Sequence, residues 1–243
     1  MKILIIPDVH GRSNWKKPCE DMSQWDKVIF LGDYLDPYPG EATNEEALAG
    51  LKDIVALKEV YKDKVILLWG NHDLPYWCDI YRNQLSYWCR HDYRNHDEIE
   101  SIFIQHNSLF QWAWQYGKYL FTHAGINNGF AKLIGEKYEK VNAEVINEFF
   151  NEEINQLLLA MVSFYRGGYE RFSSPVWADV HEHCKDNVSD YIRHLYQIFG
   201  HTYSSQRIIT ERWAMLDIGG PVAYLEDDKL KDINGNELKL TEL

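Results

Sequence analysis

The chain has only four cysteines in 243 residues, Cys19, Cys78, Cys89 and Cys184, and no two of them stand in CxxC spacing. A thiolate zinc site is therefore not expected. No Lys/Arg-rich block occurs, and the formal net charge is −12. That balance argues against extended nucleic acid as a partner, because such binding rests on Lys and Arg neutralising phosphates. A small phosphate held by a metal or by a few local cations stays open. Long apolar runs are missing too. The run Ile3 to Ile6 is too short for a signal-peptide core and is followed directly by Asp8 and His10. No stretch approaches transmembrane length, so no membrane partner is expected. The sequence reads as a cytoplasmic protein with reduced thiols. It shows no linker, internal repeat or low-complexity segment. Aromatics are what it has in plenty, with nine Trp and sixteen Tyr, and they serve cores and pockets alike. Length and an ordinary hydrophobic content suit one domain, residues 1–243, with a sizeable core.

The informative pattern is a short apolar run that stops at residues able to bind metal or move protons. In open parallel sheets, ligands bind just beyond the carboxyl ends of strands. Val65 to Trp69 runs into Gly70-Asn71-His72-Asp73. Met1 to Pro7 reads as a strand that runs into Asp8-Val9-His10-Gly11, and in extended chain Asp8 and His10 point the same way. Lys27 to Leu31 runs into Gly32-Asp33-Tyr34-Leu35-Asp36. Lys118 to Thr122 runs into His123-Ala124-Gly125, and Leu195 to Phe199 into Gly200-His201-Thr202. Carboxylates, imidazoles and one amide oxygen suit Mn, Fe or Zn, and these five exits hold enough donors for two ions.

Between the exits, Thr43 and Glu46 form a capping-box pattern opening a helix to about Tyr61. Strand, connection, strand, helix, strand is an α/β beginning with parallel strands. From Leu74 to about Ile99 the chain is rich in Trp, Tyr, His and Arg, including Tyr81, Arg82, Trp88, Arg90, His91 and His96. It reads as helices and loops, either a recognition layer over the site or a peripheral layer. With Ser108 to Tyr116 expected as helix, this makes a helical, aromatic-rich insertion at about 74–116. Val141 to Tyr165 is expected as one long amphipathic helix. Arg166 and Arg171 flank a Gly-containing loop, and His181 and His183 are spaced to share a metal or to do nothing of the kind. Short strands are expected over 207–210, 213–218 and 222–225, with a hairpin turn at Asn234-Gly235. The whole suggests two sheets packed together with helices outside.

In this order, DxHG, GDxxD, GNHD, HAG and GHT resemble the calcineurin-like metallophosphoesterase superfamily, closest to the branch of serine/threonine protein phosphatases and diadenosine-tetraphosphate hydrolases. The resemblance spans Ile3 to about Gly219. It implies two mixed β-sheets packed as a sandwich flanked by helices, a four-layer α/β (α+β) fold. It also implies two divalent or trivalent metal ions, Mn, Fe or Zn, with Mn the one to try in vitro. Asp8 and His10 would bind the first metal and Asp33 would bridge both. Asn71, His123 and His201 would complete the second, with Asn71 also near substrate. His72 would be the general acid, oriented by Asp36, while a metal-bridging hydroxide attacks phosphorus in line.

This sequence departs from the branch at two positions and from many other superfamily members at a third. Pro37 stands where the protein phosphatases carry a phosphate-gripping Arg, which leaves Arg166 or Arg171 to supply that contact. Asp73 replaces a Glu. Tyr203 stands where many other superfamily members have a second His, as in the protein-phosphatase branch. The expected activity is hydrolysis of a phosphomonoester or nucleotide polyphosphate. A serine/threonine protein phosphatase acting on a phosphoprotein is the alternative, followed by a phosphodiesterase. Outside enzymes, a catalytically silent metal-binding scaffold is the competing reading.

Overall fold

The computed structural model describes residues 1–183 and 188–241; Cys184 lies outside them. The strands are β1 (Lys2–Ile6), β2 (Lys27–Phe30), β3 (Val65–Leu68), β4 (Phe110–Gln111), β5 (Ala113–Tyr116), β6 (Tyr119–Thr122), β7 (Tyr196–Phe199), β8 (Ile208–Ile209), β9 (Trp213–Met215), β10 (Ala223–Glu226) and β11 (Lys229–Asp232). They form two mixed sheets, accompanied by several helices, as the fold class requires. The chain divides into two compact units, Met1–Phe110 with Gly219–Leu238, and Gln111–Ile218 with Lys239–Leu243.

In the first unit the sheet order is β11-β10-β1-β2-β3-β4. β1, β2 and β3 are parallel, with Ile6 opposite Phe30 and Phe30 opposite Leu67. Their exits therefore fall at one end of the sheet. Ile3 to Ile6, Val28 to Leu31 and Val65 to Trp69 are all buried, which explains continuous apolar runs without alternation. The helix Asn44–Tyr61 links β2 to β3 and opens with the expected capping box between Thr43 and Glu46. The tail returns to this sheet. β10 runs antiparallel to β1, and β10 and β11 join through Asp227-Asp228, both at positive φ, a hairpin turn the sequence reading passed over. Gly235, at φ 92°, makes the expected turn beyond β11.

The second unit holds the sheet β5-β6-β7-β9-β8. Two expectations fail in this part of the chain. Ser108 to Tyr116 is not a helix: after a short turn at Asn107–Leu109 the chain forms β4 and β5. β5 pairs with β6 through a two-residue turn at Gly117-Lys118 with Gly117 at φ 56°, and the side-chain oxygen of Asn147 accepts the Trp112 and Ala113 N–H groups. Val141 to Tyr165 is not one helix either. The helix ends at Asn151, because the amides of Asn155 and Gln156 donate to the carbonyls of Phe149 and Phe150. These bonds satisfy carbonyls that a continuing helix would have used.

Candidate active site

In the first unit, the loops after β1 and β2 carry the ladder past the strand ends. His10 N–H donates to the Asp33 carbonyl at 2.7 Å and Gly11 N–H to the Tyr34 carbonyl at 3.1 Å. Glycine is required where the loops after β2 and β3 meet. A Cβ on Gly70 would lie 2.2 Å from the Asp33 carboxylate, and one on Gly32 would lie 2.5 Å from the Gly70 nitrogen. Asp73 ties the two loops together. Fully buried, it accepts the N–H groups of Asp33, Tyr34 and Gly70 at 3.0, 3.0 and 2.8 Å. Burial and the neighbouring Asp33 push its pKa up.

Asp8, His10, Asp33, Asp36, Asn71 and His72 are all buried. His10 Nδ1–H donates to the Leu35 carbonyl at 2.8 Å. That fixes the tautomer and leaves Nε2 as a lone pair. Nε2 faces the Asp33 and Asp8 carboxylates at 3.5 and 4.0 Å. Burial lowers the His10 pKa to about 3, against the pull of Asp33, so the ring is neutral at pH 7. A neutral imidazole lone pair aimed at two carboxylates is an arrangement of acceptors that a cation completes. Donor atoms of His10, Asp33 and His72 lie within 4.8 Å of one another. The His10 and Asp33 donors fit a metal of the kind the sequence implies.

His72 is held from both sides. Its backbone N–H donates to Asp33 Oδ1 at 2.9 Å, and its Nδ1–H to Asp36 Oδ2 at 2.7 Å. Burial opposes its charge. The Cys89 sulfur, Asp33 and the Asp36 hydrogen bond outweigh that and hold its pKa well above the usual range. Asp36 has a second partner the sequence reading missed. Tyr76 O–H donates to Asp36 Oδ1 at 2.5 Å and accepts the Asp92 N–H at 2.5 Å.

In the second unit, His123 and His201 follow β6 and β7. Their facing nitrogens, Nε2 and Nδ1, lie 3.2 Å apart. Two imidazole nitrogens each about 2.0–2.1 Å from one ion would stand roughly that far from each other. The pair fits a shared metal. Arg166 sits beside His201: it pairs with Asp179 at 2.9 Å, and its Nη2 donates to Thr202 Oγ1 at 2.8 Å. Arg171 is exposed on a separate cavity of about 480 Å³ lined also by Lys132, Tyr165 and Phe172, and His201 does not line it. His181 and His183 diverge. His181 bonds to Asp179, while His183 is buried and its Nε2 lies 3.0 Å from the Ala124 carbonyl.

The sequence profile of the calcineurin-like phosphoesterases matches residues 1–205. The chain belongs to this family. It is thus a metal-dependent hydrolase of phosphoric esters, and divalent metal ions are the cofactors the family implies. Among solved structures it is similar to a cold-active protein tyrosine phosphatase, with TM-score 0.58 and 16% identity over 99% of this chain and 79% of the other. It is also similar to a protein serine/threonine phosphatase from Saccharomyces cerevisiae with similarity to human phosphatase PP5, with TM-score 0.55 and 12% identity over 100% and 81%. At these identities the likeness is one of fold. No curated protein matches the sequence. Among the described residues, no helix is long and apolar enough to cross a membrane.

Proposed function

We propose that the chain is a dimetal phosphoesterase that hydrolyses a phosphomonoester or a nucleotide polyphosphate. The observation that carries this reading is the His72–Asp36 pair, 2.7 Å apart and buried beside the His10–Asp33 donors. In this reading Asp8, His10 and Asp33 hold one metal, and Asp33, Asn71, His123 and His201 the other. Family membership and the donor chemistry within each unit support it. When bound, the metals supply positive charge for the phosphate oxygens and a water acidic enough to attack at neutral pH.

The chain's own residues do the rest. Asp36 holds the His72 ring by Nδ1, which leaves Nε2 as the nitrogen that gives a proton to the leaving oxygen. Asp36 also favours the charged ring, so His72 carries that proton at neutral pH. Asp73 keeps Asp33 and the Gly70 loop in register. Arg166, by His201, is proposed to meet the substrate phosphate; Arg171 is proposed as a contact for a substrate with more than one phosphate. The silent-scaffold reading accounts for metal donors but not for an oriented proton donor.

The test is a hydrolysis panel with added Mn²⁺: a chromogenic phosphomonoester, a phosphodiester, a phosphopeptide and diadenosine tetraphosphate, with Asp33→Asn as control. Metal-dependent turnover of the monoester or the tetraphosphate, lost in the variant, is the expected result. Preference for the phosphopeptide would favour the protein-phosphatase alternative. Two bound metals with no turnover on any substrate would favour the scaffold.

A further inference from the structure

Arg90 lies in the segment between the helices Asp79–Leu85 and His96–Gln105, yet its guanidinium rests on the β2 exit loop. Nε donates to the carbonyls of Asp36 and Pro37 at 3.0 and 3.1 Å, and Nη2 donates to the Asp36 carbonyl at 2.7 Å. The guanidinium carbon lies 3.7 Å from the centroid of the Tyr38 ring, and Nη2 is 3.4 Å from His10 Nδ1. Arg12 approaches the same ring at 5.4 Å, but its charge is answered by Glu41 at 2.7 Å. No carboxylate ion-pairs with Arg90 among the described residues, in a chain with 37 Asp and Glu against 25 Lys and Arg. Its Nη1 has no hydrogen-bond partner among them either.

A guanidinium so placed has its charge uncompensated and one N–H edge unused. Three hydrogen bonds and a stacked ring hold its side chain, so little rotamer freedom remains to be lost when a ligand arrives. Planar paired N–H groups match phosphate oxygens. We infer that Arg90 is a substrate-binding residue that grips the non-bridging oxygens of the reacting phosphate next to His10, with Tyr38 as the surface that sets its angle. This rests on the phosphoesterase reading above and adds to Arg166 a second residue that meets the phosphate. It also gives the aromatic segment after Pro75 a role in recognition.

The experiment measures binding of inorganic phosphate by calorimetry to the Mn²⁺-loaded protein and to Arg90→Ala, Arg90→Lys and Arg94→Ala. Arg94 is an exposed neighbour and controls for net charge. Metal content and thermal midpoint are recorded for each. Loss of charge-assisted hydrogen bonds should weaken phosphate binding by roughly 10- to 100-fold in Arg90→Ala. Arg90→Lys should fall in between, because it keeps the charge and loses the fork, and Arg94→Ala should match the parent. In turnover, KM should rise more than kcat falls. Equal phosphate affinity in the parent and in Arg90→Ala, or no phosphate binding by the parent, would overturn the assignment. Arg90-dependent phosphate binding without turnover on any ester would instead leave Arg90 standing and remove the phosphoesterase reading.

Discussion

Tyr76→Phe isolates one hydrogen-bonded oxygen. The ring is fully buried and stacks on His91 at a centroid distance of 4.1 Å, and phenylalanine keeps that shape. Only the hydroxyl goes, and with it the bonds to Asp36 Oδ1 and from the Asp92 N–H. Each loss leaves a buried group short of a partner. Each unpaired group costs about 1–3 kcal/mol, so about 4 kcal/mol in total is a central value. For a chain of this length that lowers the thermal midpoint by roughly 8–16 °C. Catalysis should change in a direction fixed by charge. Without the Tyr76 donor, more of the Asp36 charge falls on His72, which raises the His72 pKa further and makes it a weaker acid. The His72 limb of the kcat–pH profile should move to higher pH, and kcat near neutrality should fall by about 3- to 10-fold with KM unchanged. Calorimetry and a pH–rate profile against Tyr93→Phe, an exposed tyrosine, make the comparison. A Tyr76→Phe protein with the parent's midpoint and the parent's profile would refute the claim that Tyr76 positions the Asp36–His72 pair.

His72→Ala should lower turnover by about 100-fold or more with bound metal nearly unchanged by elemental analysis; loss of metal would make His72 a ligand instead. Gly70→Ala puts a methyl 2.2 Å from Asp33 Oδ1 and 2.3 Å from the Asp33 nitrogen, so the loop must move. It should cost about 1–3 kcal/mol in urea unfolding and weaken metal retention against a chelator; retention equal to the parent's would show that Asp33 is not a ligand. His183 has its pKa lowered, first of all by burial. The unfolded chain therefore takes up this proton first, and the stability it contributes above pH ~6.5 is lost as pH falls below that value, by at most about 1.4 kcal/mol per pH unit. Urea unfolding of the parent and of His183→Gln between pH 7.5 and 5.5 should show a shallower slope in the variant; parallel slopes would mean His183 does not titrate on unfolding.

The five strand exits were legible because each puts its polar residues directly after an apolar run, so strand and site lie within ten residues of sequence. The helix at Thr43 was legible for the same local reason. Tyr76 and Arg90 were not. They act on Asp36 from 40 and 54 residues away, and sequence order carries no trace of such contacts. Arg90 stood out only as one cation in an aromatic stretch. The helix end at Asn151 depended on two amides folding back, where the apolar period alone ran on. β5 was misread because its buried and exposed positions do not alternate cleanly, although Gly117 just after it carries the turn signal.

Asp73 shows how position in a motif can mislead about chemistry. It follows His72 directly, yet its carboxylate is spent on three backbone N–H groups. The reason lies in the backbone of its neighbours. His10, Asp33 and Asp36 adopt φ of 43°, 53° and 58°. Each such residue costs about 1–2 kcal/mol relative to ordinary backbone, and glycine would relieve it. Glycine would also remove the donor, so strain and side chain come as a pair at these positions. Compensation has to come from groups that do no chemistry themselves. Asp73 holds the Asp33 and Tyr34 amides, Asp33 O accepts from His10 N–H, and Tyr76 anchors the Asp36 carboxylate. His10, Asp33 and Asp36 can keep a costly conformation because buried residues outside the loops that carry them, Asp73 and Tyr76, hold the Asp33 and Tyr34 amides and the Asp36 carboxylate in place.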